Sequence, residues 1–337
     1  MPRIAMTLLV RDEADLVDDW LRYHLARGID VVIATDHRST DGTTDILRSY
    51  ERDGRLVLLR ERDDVLRQAE WVTRMARLAA TEHAADWVIA SDADEFWWPR
   101  APSFADQLAE VPARFGVLRG LMRQFVFVPG TDPLFERMTV RARPSADLAS
   151  PYHAQVKVVH RATPDVVVSG GNHDAEGSGL RLVREWFPFE VLHFPIRDEQ
   201  QLVDKFARRA TSPDGQHIVK ALARLARGER ELLVAETAFG AAEVEAGLRS
   251  GLLVRDVRLR DALRSLEVTG ALPAPPAPAL SDEADLAEDA GVALEHDGAV
   301  VLERRCATLE HRVAVLEHRA STARRVGRRL ARRARPG

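Results

Sequence analysis

Ser91-Asp92-Ala93-Asp94-Glu95-Phe96 closes an apolar run, Trp87 to Ser91, and sets two carboxylates two residues apart. In extended chain such residues face the same side, so Asp92 and Asp94 can converge on one hard cation. Mg²⁺ and Mn²⁺ favour oxygen ligands and keep positions open for water and phosphate oxygens. Two acids at a strand end therefore supply half of a metal–diphosphate site. Two further polar groups follow apolar runs in the same way. Arg11-Asp12-Glu13 comes after Ile4 to Val10, and Asp36-His37-Arg38-Ser39-Thr40-Asp41-Gly42-Thr43 comes after Val31 to Thr35. Downstream, His193, Arg197 and Lys205 stand near one another in the chain. Asp174, in Gly170-Gly171-Asn172-His173-Asp174, and Glu185, before Trp186, could take a proton from an attacking hydroxyl. Trp97, Trp98 and Trp186 could stack on a flat apolar ligand face or fill the core.

The elements that must position these groups can be read from periodicity. Four short apolar runs (Ile4 to Val10, Val31 to Thr35, Leu56 to Leu59, Trp87 to Ser91) read as buried strands. Helical patterns separate them: one capped by Asp12 and stopped at Gly28, one to about Tyr50, and one from about Val65 to Ala85. Strand–helix alternation of this length implies parallel βαβ units with helices on both faces of the sheet. Ligands in such sheets bind beyond the carboxyl ends of the strands, where all three polar groups fall. After Pro99, shorter apolar pieces punctuated by Gly and Pro suit antiparallel strands and loops. Asp198 can open a helix through Ala210, and helices continue to about Leu266. Gly270 to Pro278 reads as a stiff Pro-rich linker, and the acidic run Asp282 to Asp289 reads as solvated. Leu302, Cys306, Leu309, Val313, Leu316 and Ala320 alternate at spacings of four and three, a coiled-coil seam of about three heptads.

Composition sets the outer limits. The 337 residues are 45% hydrophobic and 30% charged, enough apolar material for a sizeable core. One cysteine, Cys306, excludes an intramolecular disulfide framework and a multi-cysteine zinc site. No apolar run approaches the ~20 residues of a membrane span, and the apolar start runs straight into Arg11 without a small-residue cleavage site. The expected location is cytoplasmic, with peripheral contact to an anionic membrane face through Arg324 to Arg335. The net charge of -4 divides into +8 over Glu303 to Gly337 and -12 over the rest, which argues against a nucleic-acid-binding body. Only Lys157, Lys205 and Lys220 are lysine, against 45 arginines. Lysine kept at 157 and 205 hints that a compact point charge is wanted there.

Ser39-Thr40-Asp41-Gly42-Thr43 after a strand, the strand-and-acid opening before it, and Asp92-Ala93-Asp94-Glu95-Phe96 some fifty residues later resemble the nucleotide-sugar domain of GT-A-type glycosyltransferases of the family 2 kind. Within that group the chain is similar to the branch with Asp-x-Asp-Glu-Phe and family 92-like domains, through Asp19-Trp20-Leu21-Arg22-Tyr23-His24. The match covers roughly 4–99. Lys157-Val158-Val159, Gly171-Asn172-His173 and His193-Phe194-Pro195-Ile196-Arg197 extend it. Where the family often has two acids before Gly-Ser, this chain has Asp36, His37 and Arg38.

The resemblance implies an α/β GT-A (Rossmann-like) mixed sheet with helices on both faces, followed by a C-terminal helical and coiled-coil tail. Residues 1–250 would form the transferase domain, with a nucleotide-sugar half (1–99) and an acceptor half (100–250). A helix and Pro-rich linker (251–280) and a tail (281–337) would follow. The activity implied is metal-dependent transfer from a nucleoside diphosphate sugar, UDP-linked, to a glycan, lipid or cell-envelope acceptor with inversion. Arg11, Glu13, Asp36, His37, Asp41, Asp92, Lys157, Arg197 and Lys205 would hold the donor. Asp92, Asp94 and His193 would bind Mn²⁺ or Mg²⁺, and Asp174, Glu185 or His173 would serve the acceptor. Homo-oligomerisation would run through 299–323. A non-catalytic coiled-coil scaffold and a sugar nucleotidyltransferase are the alternatives; Val10 to Ala14 lacks the glycine-rich phosphate loop of the latter.

Overall fold

The computed structural model describes residues 1–147, 150–209, 237–273 and 284–298, with Arg227, Gly228, Val234 and Val300. The coiled-coil seam and the arginine-rich end lie outside the described residues, as does the side chain of Lys205. The first half follows the expected alternation: β1 (Ile4–Val10), α1 (Val17–Ala26), β2 (Val31–His37), α2 (Thr43–Arg52), β3 (Leu56–Glu61), α3 (Gln68–Thr81) and β4 (Trp87–Asp92). Then come β5 (Glu95–Pro99), α4 (Phe104–Ala109), β6 (Val117–Gln124), α5 (Leu134–Arg137), β7 (Val140–Ala142), β8 (Val156–Arg161), β9 (Val167–Val168), β10 (Ala175–Glu176) and β11 (Phe189–His193). The last elements are α6 (Glu199–Arg209), α7 (Ala241–Ser250), β12 (Leu253–Arg255) and α8 (Arg258–Thr269), and a final helix spans 284–298. No described helix is long and apolar enough to cross a membrane.

One mixed sheet in the order β3-β2-β1-β4-β8-β6-β11-β5 organises the molecule. Strands β3, β2, β1 and β4 are mutually parallel. β8 runs antiparallel to both β4 and β6, and β11 is parallel to β6. The strand period of two divides the core. Met6, Leu8, Val32 and Ala34 face Trp20 and Leu21 of α1 and Leu47 of α2 on one side. Ala5, Val31 and Ile33 face Val72, Met75 and Ala79 of α3 on the other. Helices on both faces are what the strand–helix alternation implied, and the mixed sheet is what the resemblance implied.

Chain direction after β4 decides where the site lies. At Ala93 and Asp94 the backbone turns, and β5 leaves for the far edge of the sheet, where it pairs antiparallel with β11. Close packing there requires Gly120 on β6, since a Cβ at that position would lie 2.7 Å from the Trp97 ring and 2.9 Å from Val191. Trp97 and Trp98 are thereby core residues, at 0% and 5% exposure, and not sugar platforms.

Two local expectations are corrected. Asp12 does not cap α1: it has a left-handed φ of 54° and accepts the Thr40 N–H at 2.8 Å, while the helix starts at Val17 without a side-chain cap. The acidic run 282–289 is not simply solvated. Asp289 is 2% exposed and pairs with Arg123, and Asp285 pairs with Arg143 at 2.8 Å. Ala293 packs with Leu121, Val156 and Phe187, and Asp297 pairs with Arg119. Asp289 to Asp297 spans about 12 Å of helix, the length of Arg123 to Arg119 in a strand. The last helix therefore lies along β6 in the opposite direction.

Two buried histidines make the fold sensitive to acid. The Nδ1–H of His24 donates to Trp20 O at 2.8 Å, and its Nε2 accepts the Trp97 N–H at 3.1 Å. His160 donates from Nδ1 to Arg161 O at 2.9 Å. Burial lowers the first to about 3 and the second to about 4. An unfolded histidine protonates near 6.5. Their contribution is therefore complete above that value and is lost as pH falls, each costing about 1.4 kcal/mol per pH unit until its folded value is reached. The imidazole C–H resonances of both should stay flat from pH 8 to 5. Titration of either near 6.5 would show that it is not buried neutral.

Candidate functional site

Beyond the carboxyl ends of the parallel strands lies a cavity of about 290 Å³. Its wall includes Arg11, Glu13, His37, Gln68, Asp92, Asp94, Glu95, Met122, Gln155, Lys157, His173 and His193. The residues that converge most tightly are Asp94, Glu95 and His193, whose potential ligand atoms all lie within 4.8 Å of one another. Register explains the convergence. Glu95 on β5 and His193 on β11 are direct antiparallel partners, and such partners hold their Cβ atoms about 4.5–5.5 Å apart. Asp94 joins from the turn, its carbonyl accepting the Phe194 N–H at 2.9 Å, with Oδ2 3.5 Å from His193 Nε2. Gln124 fixes the histidine: its Oε1 accepts the Nδ1–H at 2.7 Å, and Nε2 is turned toward Asp94. A metal-binding histidine commonly has its other nitrogen held in this way.

Asp92 lines the same cavity but stands outside the trio. The chain turns after β4 instead of continuing extended, and the two aspartates take different partners. The Asp92 carboxylate takes Lys157 Nζ at 3.2 Å, Gln68 Nε2 at 3.2 Å and Asn172 Nδ2 at 3.3 Å. Lys157 is 3% exposed and also reaches Glu95 at 2.6 Å and Gly171 O at 2.7 Å. Three acceptors around one ammonium match its three N–H bonds, a geometry the planar guanidinium fork does not offer. This gives a physical reason for lysine at 157 in a chain that otherwise prefers arginine. Burial disfavours charge on Lys157, but Glu95 and Asp92 outweigh it and hold the ammonium above the ordinary lysine value. Burial pushes the Glu95 carboxyl up; Lys157 opposes this, Asp92 and Asp94 add to it, and the group settles at about 8.

The other sequence candidates divide between wall and support. His37 lines the cavity, donates from Nε2 to Asp63 O at 2.8 Å and meets the edge of Trp71. His173 lines it as well, with Nδ1–H donated to Val156 O at 2.7 Å. Its ring folds over Gly171, whose φ is 74° and where a Cβ would meet His173 Nε2 at 2.6 Å. Asp36 and Asp41 are loop braces outside the cavity wall. Asp36 accepts from Ser39 N and Thr44 Oγ1; Asp41 accepts from Thr43 and from Ala14 N. For Asp41, burial raises the carboxyl, but those hydrogen bonds prevail and lower it. Arg197 is 1% exposed and spent on Glu13 and Asp15, reaching the latter at 2.7 Å, so it braces the first loop from beneath.

Neither Asp174 nor Glu185 reaches the cavity. Asp174 is exposed and turns its carboxylate onto Ala175 N at 3.0 Å, and Glu185 is exposed. Sequence reasoning missed Glu95 as a member of the close trio, although it directly follows Asp-x-Asp, and missed Gln68, Gln124 and Gln155 as cavity-wall residues, which no spacing marks.

No family model matches the chain, and no curated protein matches it. Among solved structures it is similar to S. aureus TarS 1-349, at 12% identity over 64% of this chain and 68% of that one, with a TM-score of 0.33. The same protein in complex with UDP aligns over 89% and 92% at 11% identity, TM-score 0.35. Glucosyl-3-phosphoglycerate synthase from Mycobacterium tuberculosis, in complex with Mn²⁺, UDP and glucosyl-3-phosphoglycerate, aligns over 36% and 44% at 17% identity, TM-score 0.27. At such scores the functional reading rests on the cavity and its residues.

Proposed function

We propose that the protein is a metal-dependent glycosyltransferase that moves a sugar from a nucleoside diphosphate donor, UDP-linked, to an acceptor hydroxyl with inversion. The observation that carries this reading is the convergence of Asp94, Glu95 and His193 Nε2 beside Asp92 and Lys157, at the strand ends where α/β sheets bind ligands. Two carboxylates and one imidazole within reach of one another suit Mn²⁺ or Mg²⁺. A bound divalent ion would neutralise charge on the departing diphosphate. The protein's own residues do the rest. Arg11 at the cavity wall offers a second cation to phosphate oxygens, and His37 and Gln68, on the same wall, would take the base and ribose. Lys157 keeps Asp92 and Glu95 compatible at close quarters.

In the transfer the acceptor oxygen forms the new bond to the anomeric carbon while the bond from that carbon to the β-phosphate oxygen breaks. The acceptor proton goes to a base. His173 fits that role, since its Nδ1–H is committed to Val156 O and Nε2 is left to accept. The test is calorimetric titration of UDP into the full chain with and without Mn²⁺. Binding is expected only with the metal, and equal affinity in both, or none in either, would overturn the assignment.

A further inference from the structure

A second cavity of about 250 Å³ opens beside the first, and the two share Gln155 and His193. Phe127, Tyr152, Ile196 and Leu202 contribute apolar wall, and Gln124 and Thr237 contribute polar atoms. Apart from His193 and the Tyr152 phenol, which burial raises to about 12 and so keeps neutral, no ionisable acid or base lines it among the described residues. An anionic acceptor would lose its water there without a cation in exchange, which is costly.

The two amides are oriented in opposite senses by neighbouring histidines. Gln124 is 8% exposed and has given its Oε1 to His193, so its amide nitrogen points onward with only the Met122 sulfur, at 3.9 Å, as a weak acceptor. His153 donates from Nδ1 to Ser150 O, so its Nε2 accepts from Gln155 Nε2 at 2.8 Å, and Gln155 Oε1 is the atom left to accept. One donor and one acceptor beside aromatic and aliphatic walls suit a hydroxyl that both donates and accepts, carried on a ring with apolar C–H faces.

We infer that this second cavity is the acceptor subsite and that it takes an uncharged sugar ring, with the Gln124 and Gln155 amides reading a hydroxyl and the aromatic wall covering the ring. The inference rests on the donor reading above for its orientation, not for the cavity itself. The volume fits one ring and lies below the ~300–1,000 Å³ usual for larger ligands.

The test uses the full chain with UDP and Mn²⁺ and reads saturation-transfer NMR of three probes: methyl β-glucopyranoside, its 6-phosphate and 1-octanol. The neutral glycoside should bind at least tenfold more tightly than its phosphate. Ile196→Trp should abolish glycoside binding, and Thr237→Arg should shift preference to the phosphate, both with UDP affinity unchanged by calorimetry. Equal or better binding of the phosphate to the unaltered chain would overturn the inference. So would octanol binding in place of the glycoside, or glycoside binding that survives in both variants. If UDP fails to bind while the glycoside still responds to both substitutions, the donor reading falls and the sugar subsite stands.

Discussion

Asp289→Ala should lower the unfolding free energy by about 3–5 kcal/mol, the cost of breaking a buried ion pair by removing one partner. Asp289 pairs with Arg123, which is itself 2% exposed, and lies 3.6 Å from Arg143 and 3.9 Å from Arg141. Without it, among the described residues Arg123 keeps only Glu190 as an acidic partner, which is shared with Arg258 at 2.7 Å. Burial works to raise the Glu190 carboxyl, but Arg123 and Arg258 overwhelm that and hold it far below the usual carboxylate range. An arginine cluster so dependent on few acids tolerates no further loss. Urea unfolding of the variant should show a lower midpoint with an unchanged slope. A change below about 1 kcal/mol would mean that the last helix contributes little to the body. The network also joins β6 to β11, the strands that carry Gln124 and His193, so the variant should weaken metal-dependent UDP binding as well.

Asp94→Ala should reduce transfer and donor hydrolysis by roughly 10²–10³-fold or more, the scale seen when a group that stabilises developing negative charge is removed. The carboxylate is 6% exposed and borders both Glu95 and His193, so its loss opens the cation site on one side. Asp174→Ala and Glu185→Ala should remain within about twofold of the unaltered chain, as is usual for surface changes away from a site. Initial rates of UDP release at saturating Mn²⁺ measure all three. A hundredfold loss in Asp174→Ala beside full activity in Asp94→Ala would invert the assignment.

Much of the scaffold was legible because it is local. The apolar runs of β1, β2 and β4 and the helical spacing of Val17, Trp20 and Leu21 each report a face within a few residues. Strand ends then point to the ligand side. What could not be read depends on long-range register. Nothing within Asp92 to Phe96 says that the chain will turn, cross to the far edge and bring Glu95 opposite His193. Alternation therefore grouped Asp92 with Asp94, when the turn gives Asp92 to Lys157. Arg197 and Asp289 show the same limit for charge. The sequence reading put Arg197 against the donor and Asp289 in solvent, and only tertiary packing supplies the partners that bury them. Asp36 and Asp41 were found by motif, but a loop motif does not distinguish a carboxylate that meets a ligand from one that ties the loop.

The helix over 284–298 also changes where the chain's final stretch sets out. Pro273 O bonds Arg27 beyond the end of α1, at the edge where the parallel strands begin, whereas His296 stacks on His153 with ring centroids 5.0 Å apart, next to Gln155 at the cavity rim. The described chain thus stands at the back of the sheet at Pro273 and at the cavity rim at His296.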